Sequence, residues 1–329
     1  MHYRTLGKTG WRISELSLGT WQVGGRWGEP FDEANASHIL HRAIDKGINF
    51  IDTADVYGDG GRESERMVGQ VIRERPEQVY LATKIGRRLD PHVAEGYNRA
   101  NLTRFVDEAL QNTGCDTLDL VQLHCPPASV YARDEVFQVL DDLKQAGKLR
   151  HYGVSVEQVS EALQAIEYPG LATVQIIFNF MRLKPAEAFF AQAKARNVGV
   201  IVRVPLASGL LTGKFTTQSR FAEGDHRHFN REGDAFDKGE TFSGVPYDLG
   251  LKAVKEYIRL FGTKYLTQHA LRWVLMFDTV SCVIPGASSV EQLEANVQAT
   301  DLPALPQIAM DDVQEIYDRL LRAEIHPQW

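Results

Sequence analysis

With 329 residues, 43% hydrophobic and 24% charged, the chain has ordinary globular composition, with room for one large α/β barrel or two smaller domains. A net charge of −7 and a pI of about 5.8 argue against nucleic acid or an anionic membrane as partner. It has no apolar run long enough for a transmembrane helix and no apolar leader, and Cys115, Cys125 and Cys282 are too scattered for a disulfide framework or zinc knuckle. A reduced, cytoplasmic protein is therefore expected.

The N-terminus reads as a β-hairpin, Y-R-T-L-G and W-R-I-S-E-L about a K-T-G turn. Strand-like runs follow at 16–20, 50–53, 79–84, 118–124, 151–155, 174–179, 200–205 and 281–285. Between them, apolar residues spaced by threes and fours predict helices at 36–46, 63–73, 102–112, 135–146 and 187–195. Gly47, Gly114, Gly147 and Gly199 each follow a helix end, where a C-cap belongs. Residues 206–247 are too long for an ordinary connection and predict either a lid or disorder. A last amphipathic helix is expected over 311–323. Eight strands alternating with helices predict a (β/α)8 TIM barrel, preceded by the hairpin and carrying a long loop after its seventh strand. The competing doubly wound nucleotide fold lacks its G-x-G-x-x-G after any strand. No linker interrupts the pattern, so 1–329 is expected to be a single domain.

Residues at the C-terminal ends of barrel strands face the mouth where active sites form. Asp52 lies in N-F-I-D-T-A-D-V-Y-G (49–58), Lys84 closes V-Y-L-A-T-K (79–84), and His124 closes L-D-L-V-Q-L-H (118–124). Tyr57 follows Asp52 at the start of the next loop. Strand ends would bring an acid, a phenol, an ammonium and an imidazole together. An ammonium is expected to favour phenolate and lower the tyrosine's pKa, while the carboxylate keeps the lysine charged. The imidazole would orient a substrate oxygen. Singly, each has a plainer reading as a cap, a surface charge or a satisfied core residue; their joint placement points to proton transfer onto a carbonyl.

These residues and the D-T-A-x-x-Y-G motif resemble the aldo-keto reductase family, in particular its bacterial and potassium-channel β-subunit branch. The resemblance runs from the hairpin through Asn296. It implies Tyr57 as proton donor, Lys84 and Asp52 as tuning residues, and His124 as the group orienting the carbonyl. None of these can supply a hydride, so a nicotinamide cofactor is expected. By resemblance, Ser155 and Gln175 would meet its carboxamide, with Asp52, Gly19, Thr20 and Trp21 nearby. P-L-A-S-G-L-L-T-G-K-F (205–215) resembles the pyrophosphate loop, with Leu206, Ser208, Gly209, Leu210 and Lys214 as contacts. I-P-G-A-S-S-V-E-Q-L-E-A-N (284–296) resembles the adenosine-phosphate end, giving Gly286, Ser288, Gln292 and Asn296, with Arg220 as a basic clamp.

The chain departs from the family pattern at Val156, where Asn is common, and at Arg203, where a tyrosine often stacks on the nicotinamide. Gly286 and Gln292 replace a common Lys and Arg. NADPH is expected, with NADH possible; the guanidinium of Arg203 would favour reduced cofactor. Trp21, Trp27, Tyr57, His124 and the long loop would wall a pocket for small aldehydes or ketones. No metal is expected, since His226-x-His228 and His38/His41 lack a third ligand at fitting spacing. The leading expectation is an NADPH-dependent carbonyl reductase. Alternatives are an NAD(P)-dependent sugar or aldose dehydrogenase, a cofactor-binding regulatory subunit with vestigial turnover, and a Schiff-base lyase using Lys84. Substrate identity and oligomeric state have no sequence signal.

Overall fold

Barrel strands are apolar on both faces because helices cover the outside and side chains fill the inside. In the computed structural model, which describes residues 1–25, 31–58, 60 and 62–329, β1 (Tyr3–Thr5) pairs antiparallel with β2 (Arg12–Ser14). Eight parallel strands follow in chain order: β3 (Leu18–Gly19), β4 (Phe50–Asp52), β5 (Tyr80–Ile85), β6 (Leu118–His124), β7 (Leu149–Ser155), β8 (Leu171–Ile177), β9 (Gly199–Arg203) and β10 (Val280–Val283). Bridges Leu16–Val283 and Gly19–Gly286 join the last strand to the first. The chain thus forms the expected (β/α)8 barrel.

The outer helices are α1 (Glu33–Asp45), α2 (Glu63–Glu74), α3 (Arg99–Thr113), α4 (Asp134–Gln145), α5 (Val159–Ala165), α6 (Lys184–Ala188) and α7 (Phe190–Ala195). The stretch expected as one helix over 187–195 is thus broken at Phe189, with Pro185 opening its first half. Gly114 caps α3 in the left-handed region, φ 64°. Gly199 does not cap a helix: Asn197 takes the left-handed position (φ 53°) and Gly199 starts β9. Gly199 is needed for close approach instead. The hairpin's Gly7 (φ 47°) packs so tightly there that a Cβ on it would lie 2.2 Å from the Gly199 nitrogen.

That contact seats the hairpin as a plug in the N-terminal end of the barrel. Leu6 and Ile13 pack on the inward-facing Phe50, Ala82, Leu120, Ile201 and Cys282, and Trp11 stacks on Tyr80 at 4.5 Å. Gly7→Ala is expected to destabilise the fold by about 1–3 kcal/mol through overpacking, read as a lower urea midpoint.

At the opposite end, the long segment after β9 is ordered. It runs through turns at Ala207–Thr212, Lys238–Glu240 and Phe242–Gly244 and a short helix, α8 (His226–Phe229). Buried Asn230 holds it together, donating to Thr241 Oγ1 (3.2 Å) and accepting from the Ala235 and Phe236 nitrogens (2.9 and 3.0 Å). Trp329 pins it from the far side: its indole donates to Asp237 (3.3 Å) and lies 4.2 Å from the Arg182 guanidinium. This strap lies against the barrel mouth. Then come α9 (Tyr247–Phe261), α10 (Leu266–Leu275), α11 (Val290–Val297) and α12 (Gln307–Leu320), the last starting earlier than expected from 311. No helix among the described residues is long and apolar enough to cross a membrane.

Candidate active site

Successive strand residues face opposite sides of a sheet. Since Phe50, Ala82, Leu120 and Ile201 point inward, so do Asp52, Lys84, Gln122, His124 and Arg203, two or four places further on. Register keeps them level: Lys84 lies opposite Gln122, His124 opposite Ser155, and Ser155 opposite Gln175. The buried Lys84 ammonium donates to Asp52 Oδ1, to the Thr53 carbonyl at 3.0 Å and to the Tyr57 oxygen at 3.3 Å. The other Asp52 oxygen accepts from Gln122 (3.1 Å) and Gln175 (2.8 Å). Asp52 therefore has three side-chain donors on its two oxygens, so neither is left buried without a partner.

Tyr57 reaches the group from a turn in which its N–H donates to the Ala54 carbonyl (3.1 Å) and its own carbonyl accepts from Ser64 (3.3 Å). Gly24 backs this turn; a Cβ there would lie 2.9 Å from the Tyr57 carbonyl oxygen. The His124 ring stands edge-on to Tyr57, centroids 6.0 Å apart. The four expected catalytic residues thus meet at one place.

The electrostatics correct one expectation. Burial raises the Tyr57 pKa above its ordinary value, and the Lys84 charge offsets this only in part, with Asp52 adding to the rise. The phenol stays protonated, and because its oxygen accepts from Lys84, its own proton is free to be donated. Burial also opposes the Lys84 charge, but Asp52 and Tyr57 outweigh it and its pKa is raised. His124 is held neutral, its pKa pushed well down by burial and by the Arg87 and Lys84 charges.

Several participants were not anticipated. Gln122 shares an inward face with His124, so strand alternation could have found it. Arg87, in the loop after β5, donates to His124 Nε2 at 3.2 Å and forks onto the strap's Glu240 at 2.5 and 3.3 Å. Glu157 was not anticipated either: it pairs at 2.8 Å with the expected cofactor residue Arg203, which also donates to the Val156 carbonyl at 3.1 Å and lies 3.9 Å from Glu240. Burial lifts the Glu157 pKa to about 8, while the two arginines hold Glu240 well below the ordinary carboxylate range despite its burial.

The expected cofactor residues occupy the same end of the barrel. Ser155 and Gln175 are buried in its floor. Thr20 turns inward, donating to the Asp52 carbonyl at 2.9 Å and accepting from Ser64 at 2.7 Å. Gly19 bridges to exposed Gly286. Trp21 is half-buried, its ring edge-on to His226 of the strap at 5.1 Å. Leu206, Ser208, Gly209 and Leu210 form the first turn of the strap, with Ser208 and Gly209 in left-handed conformations (φ 53° and 97°). The Ser208 hydroxyl is engaged with the strap, donating to the Glu240 carbonyl at 3.0 Å. Lys214 and Arg220 are exposed. Ser288 donates to Gln292 at 3.0 Å ahead of α11, and Asn296 donates to the Gly286 carbonyl at 3.1 Å. Trp27 lies outside the described residues.

This donor set fits a nicotinamide dinucleotide. Arg203 Nε and His124 Nδ1 are buried without a hydrogen-bond partner among the described residues. Gln175 gives its amide N–H to Asp52, leaving a carbonyl to receive one. The N-terminus of α11 offers backbone N–H groups to a phosphate.

Residues 15–318 match the model of the Aldo/keto reductase family. The chain is 31% identical to the aldo-keto reductase YhdN of Bacillus subtilis, covering 100% of this chain and 97% of that protein. It is 29% identical to a probable voltage-gated potassium channel subunit beta of Arabidopsis thaliana, covering 96% of each. Among solved structures, a glycerol dehydrogenase from Gluconobacter oxydans superposes with a TM-score of 0.78 at 28% identity, covering 99% of this chain and 98% of that one.

Proposed function

The chain belongs to the aldo/keto reductase family, whose members are oxidoreductases, and we propose that it reduces small aldehydes or ketones to alcohols with NADPH, Tyr57 being the general acid. The observation that carries this is the Tyr57 hydroxyl, kept protonated by burial and placed 3.3 Å from a buried lysine. When bound, the reduced dinucleotide supplies the hydride that reaches the carbonyl carbon. Tyr57 holds the carbonyl oxygen and gives it a proton as negative charge develops there. The Lys84 ammonium stabilises the phenolate left behind, and Asp52 keeps that ammonium charged and in place. His124, neutral and beside Tyr57, borders the oxygen and fixes the substrate's approach.

Ser155 and Gln175 are the residues proposed for the carboxamide, with Asp52, Gly19, Thr20 and Trp21 around it. Arg203 is the residue proposed to flank the nicotinamide, on which a planar guanidinium could stack. Leu206, Ser208, Gly209, Leu210 and Lys214 are proposed for the pyrophosphate, and Gly286, Ser288, Gln292, Asn296 and Arg220 for the adenosine phosphate. Monitoring NADPH and NADH consumption with a panel of aromatic aldehydes tests the reading. Faster consumption of NADPH supports it, and a protein that neither consumes nor binds NADPH or NADH sinks it.

The raised Tyr57 pKa sets a pH signature. Reduction needs the phenol and is expected to stay level through neutral pH, falling only above about 10, the ordinary phenol value. Alcohol oxidation needs the phenolate and should rise across that same range. Paired profiles of kcat for the two directions check this; a reduction rate already falling near pH 7 would assign the proton elsewhere.

A further inference from the structure

Arg87 and Arg203 converge on one carboxylate, that of Glu240, at the edge of the site. The Arg87 guanidinium grips both of its oxygens, at 2.5 and 3.3 Å, and Arg203 stands 3.9 Å from one of them. The same Arg87 donates to His124 Nε2 at 3.2 Å. A planar two-oxygen anion is therefore held one guanidinium's width from where a carbonyl oxygen would sit. That anion comes from the strap, not the barrel: Glu240 ends the turn Lys238–Glu240.

The second guanidinium of this cluster is only partly satisfied. Glu157 at 2.8 Å and Glu240 at 3.9 Å share the Arg203 guanidinium, while Glu240 alone takes the Arg87 fork. Lys84 is paired with Asp52, and His124 is neutral. Arg182 lies behind, 4.2 Å from the Trp329 ring, and donates to the Glu157 carbonyl at 2.8 Å. Arg203, 8% exposed, also has its Nε without a hydrogen-bond partner among the described residues. One buried guanidinium donor is left over at the pocket wall, where the low local dielectric makes an unpaired polar group costly.

The geometry points to a carboxylate-binding subsite made by Arg87 and backed by Arg203, with Glu240 as its built-in occupant, so that the preferred substrates are carbonyl compounds bearing a carboxylate. This rests on the carbonyl-reductase reading above and narrows its substrate class. The substrate's carboxylate replaces that of Glu240 on the Arg87 fork, and its carbonyl comes to Tyr57 and His124. Reduction balances as for any aldehyde: hydride from the reduced dinucleotide to the carbonyl carbon, a proton from Tyr57 to the oxygen, and the carboxylate unchanged.

The test compares kcat/KM for 4-carboxybenzaldehyde and for its neutral methyl ester, with NADPH, in the wild type, Arg87→Met and Glu240→Gln. The wild type is expected to favour the acid at least about tenfold, the scale of one charge-assisted hydrogen bond. Arg87→Met should abolish that preference. Glu240→Gln removes the internal competitor and should widen it, chiefly through a lower KM for the acid. If the Arg87–Glu240 pair only pinned the strap, each substitution would change both substrates alike and leave the ratio fixed. A wild-type ratio near one, or a ratio unmoved by Arg87→Met, overturns the subsite while leaving the reductase reading intact. If neither aldehyde is reduced, that reading fails separately. Calorimetry with 4-(hydroxymethyl)benzoate and its methyl ester then decides the subsite: acid-selective binding lost in Arg87→Met upholds it, and absence of such binding overturns it.

Discussion

Tyr57→Phe is expected to lower the rate of carbonyl reduction by about 10²–10⁴-fold, the usual contribution of a positioned general acid, while NADPH affinity stays near that of the wild type. The substitution removes one oxygen that accepts from Lys84 and keeps the ring edge-on to His124. The lost contact is one hydrogen bond of 3.3 Å at a half-buried position, so the fold should survive. Single-turnover rates at saturating cofactor, alongside fluorescence titration of NADPH, separate chemistry from binding. Undiminished turnover would remove Tyr57 from the mechanism.

Lys84→Met should have the second large effect, this time on stability as well as rate. Asp52 is 1% exposed and would keep only the amides of Gln122 and Gln175 as donors. Breaking one side of a buried ion pair typically costs about 3–5 kcal/mol. Urea unfolding should show that loss. The double variant Asp52→Asn/Lys84→Met should recover much of it, because no uncompensated charge is then left inside the barrel. A single variant as stable as the wild type would mean that water reaches Asp52. Activity is expected to fall in both variants, since neither has an ammonium to stabilise phenolate.

The barrel itself was legible because its signals are local. Short apolar runs alternate with helical periodicity, and all eight expected strands are present with ends displaced by a few residues. Gly114 could be read as a cap from its place after α3, whereas Gly199 could not be told from one. Its role depends on Gly7, which reaches it only after the hairpin folds under the barrel. Likewise, composition left residues 206–247 open between lid and disorder. Their order comes from buried Asn230 and from Trp329, far along the chain.

For the site, the sequence by itself determined which side chains stand at the mouth. Alternation along a strand fixes the face that Asp52, Lys84 and His124 occupy, and parallel register brings neighbouring strand ends level. Only the tertiary structure decided their protonation and their neighbours. An adjacent lysine suggests a lowered tyrosine pKa, yet burial outweighs that charge and raises it. The Arg87–Glu240 fork joins residues 153 positions apart. No periodicity encodes such a contact, because it arises where a long strap comes to rest on a barrel. Desolvation and charge pairing at the mouth depend on that resting place, so the chemistry of the pocket wall belongs to the folded chain alone.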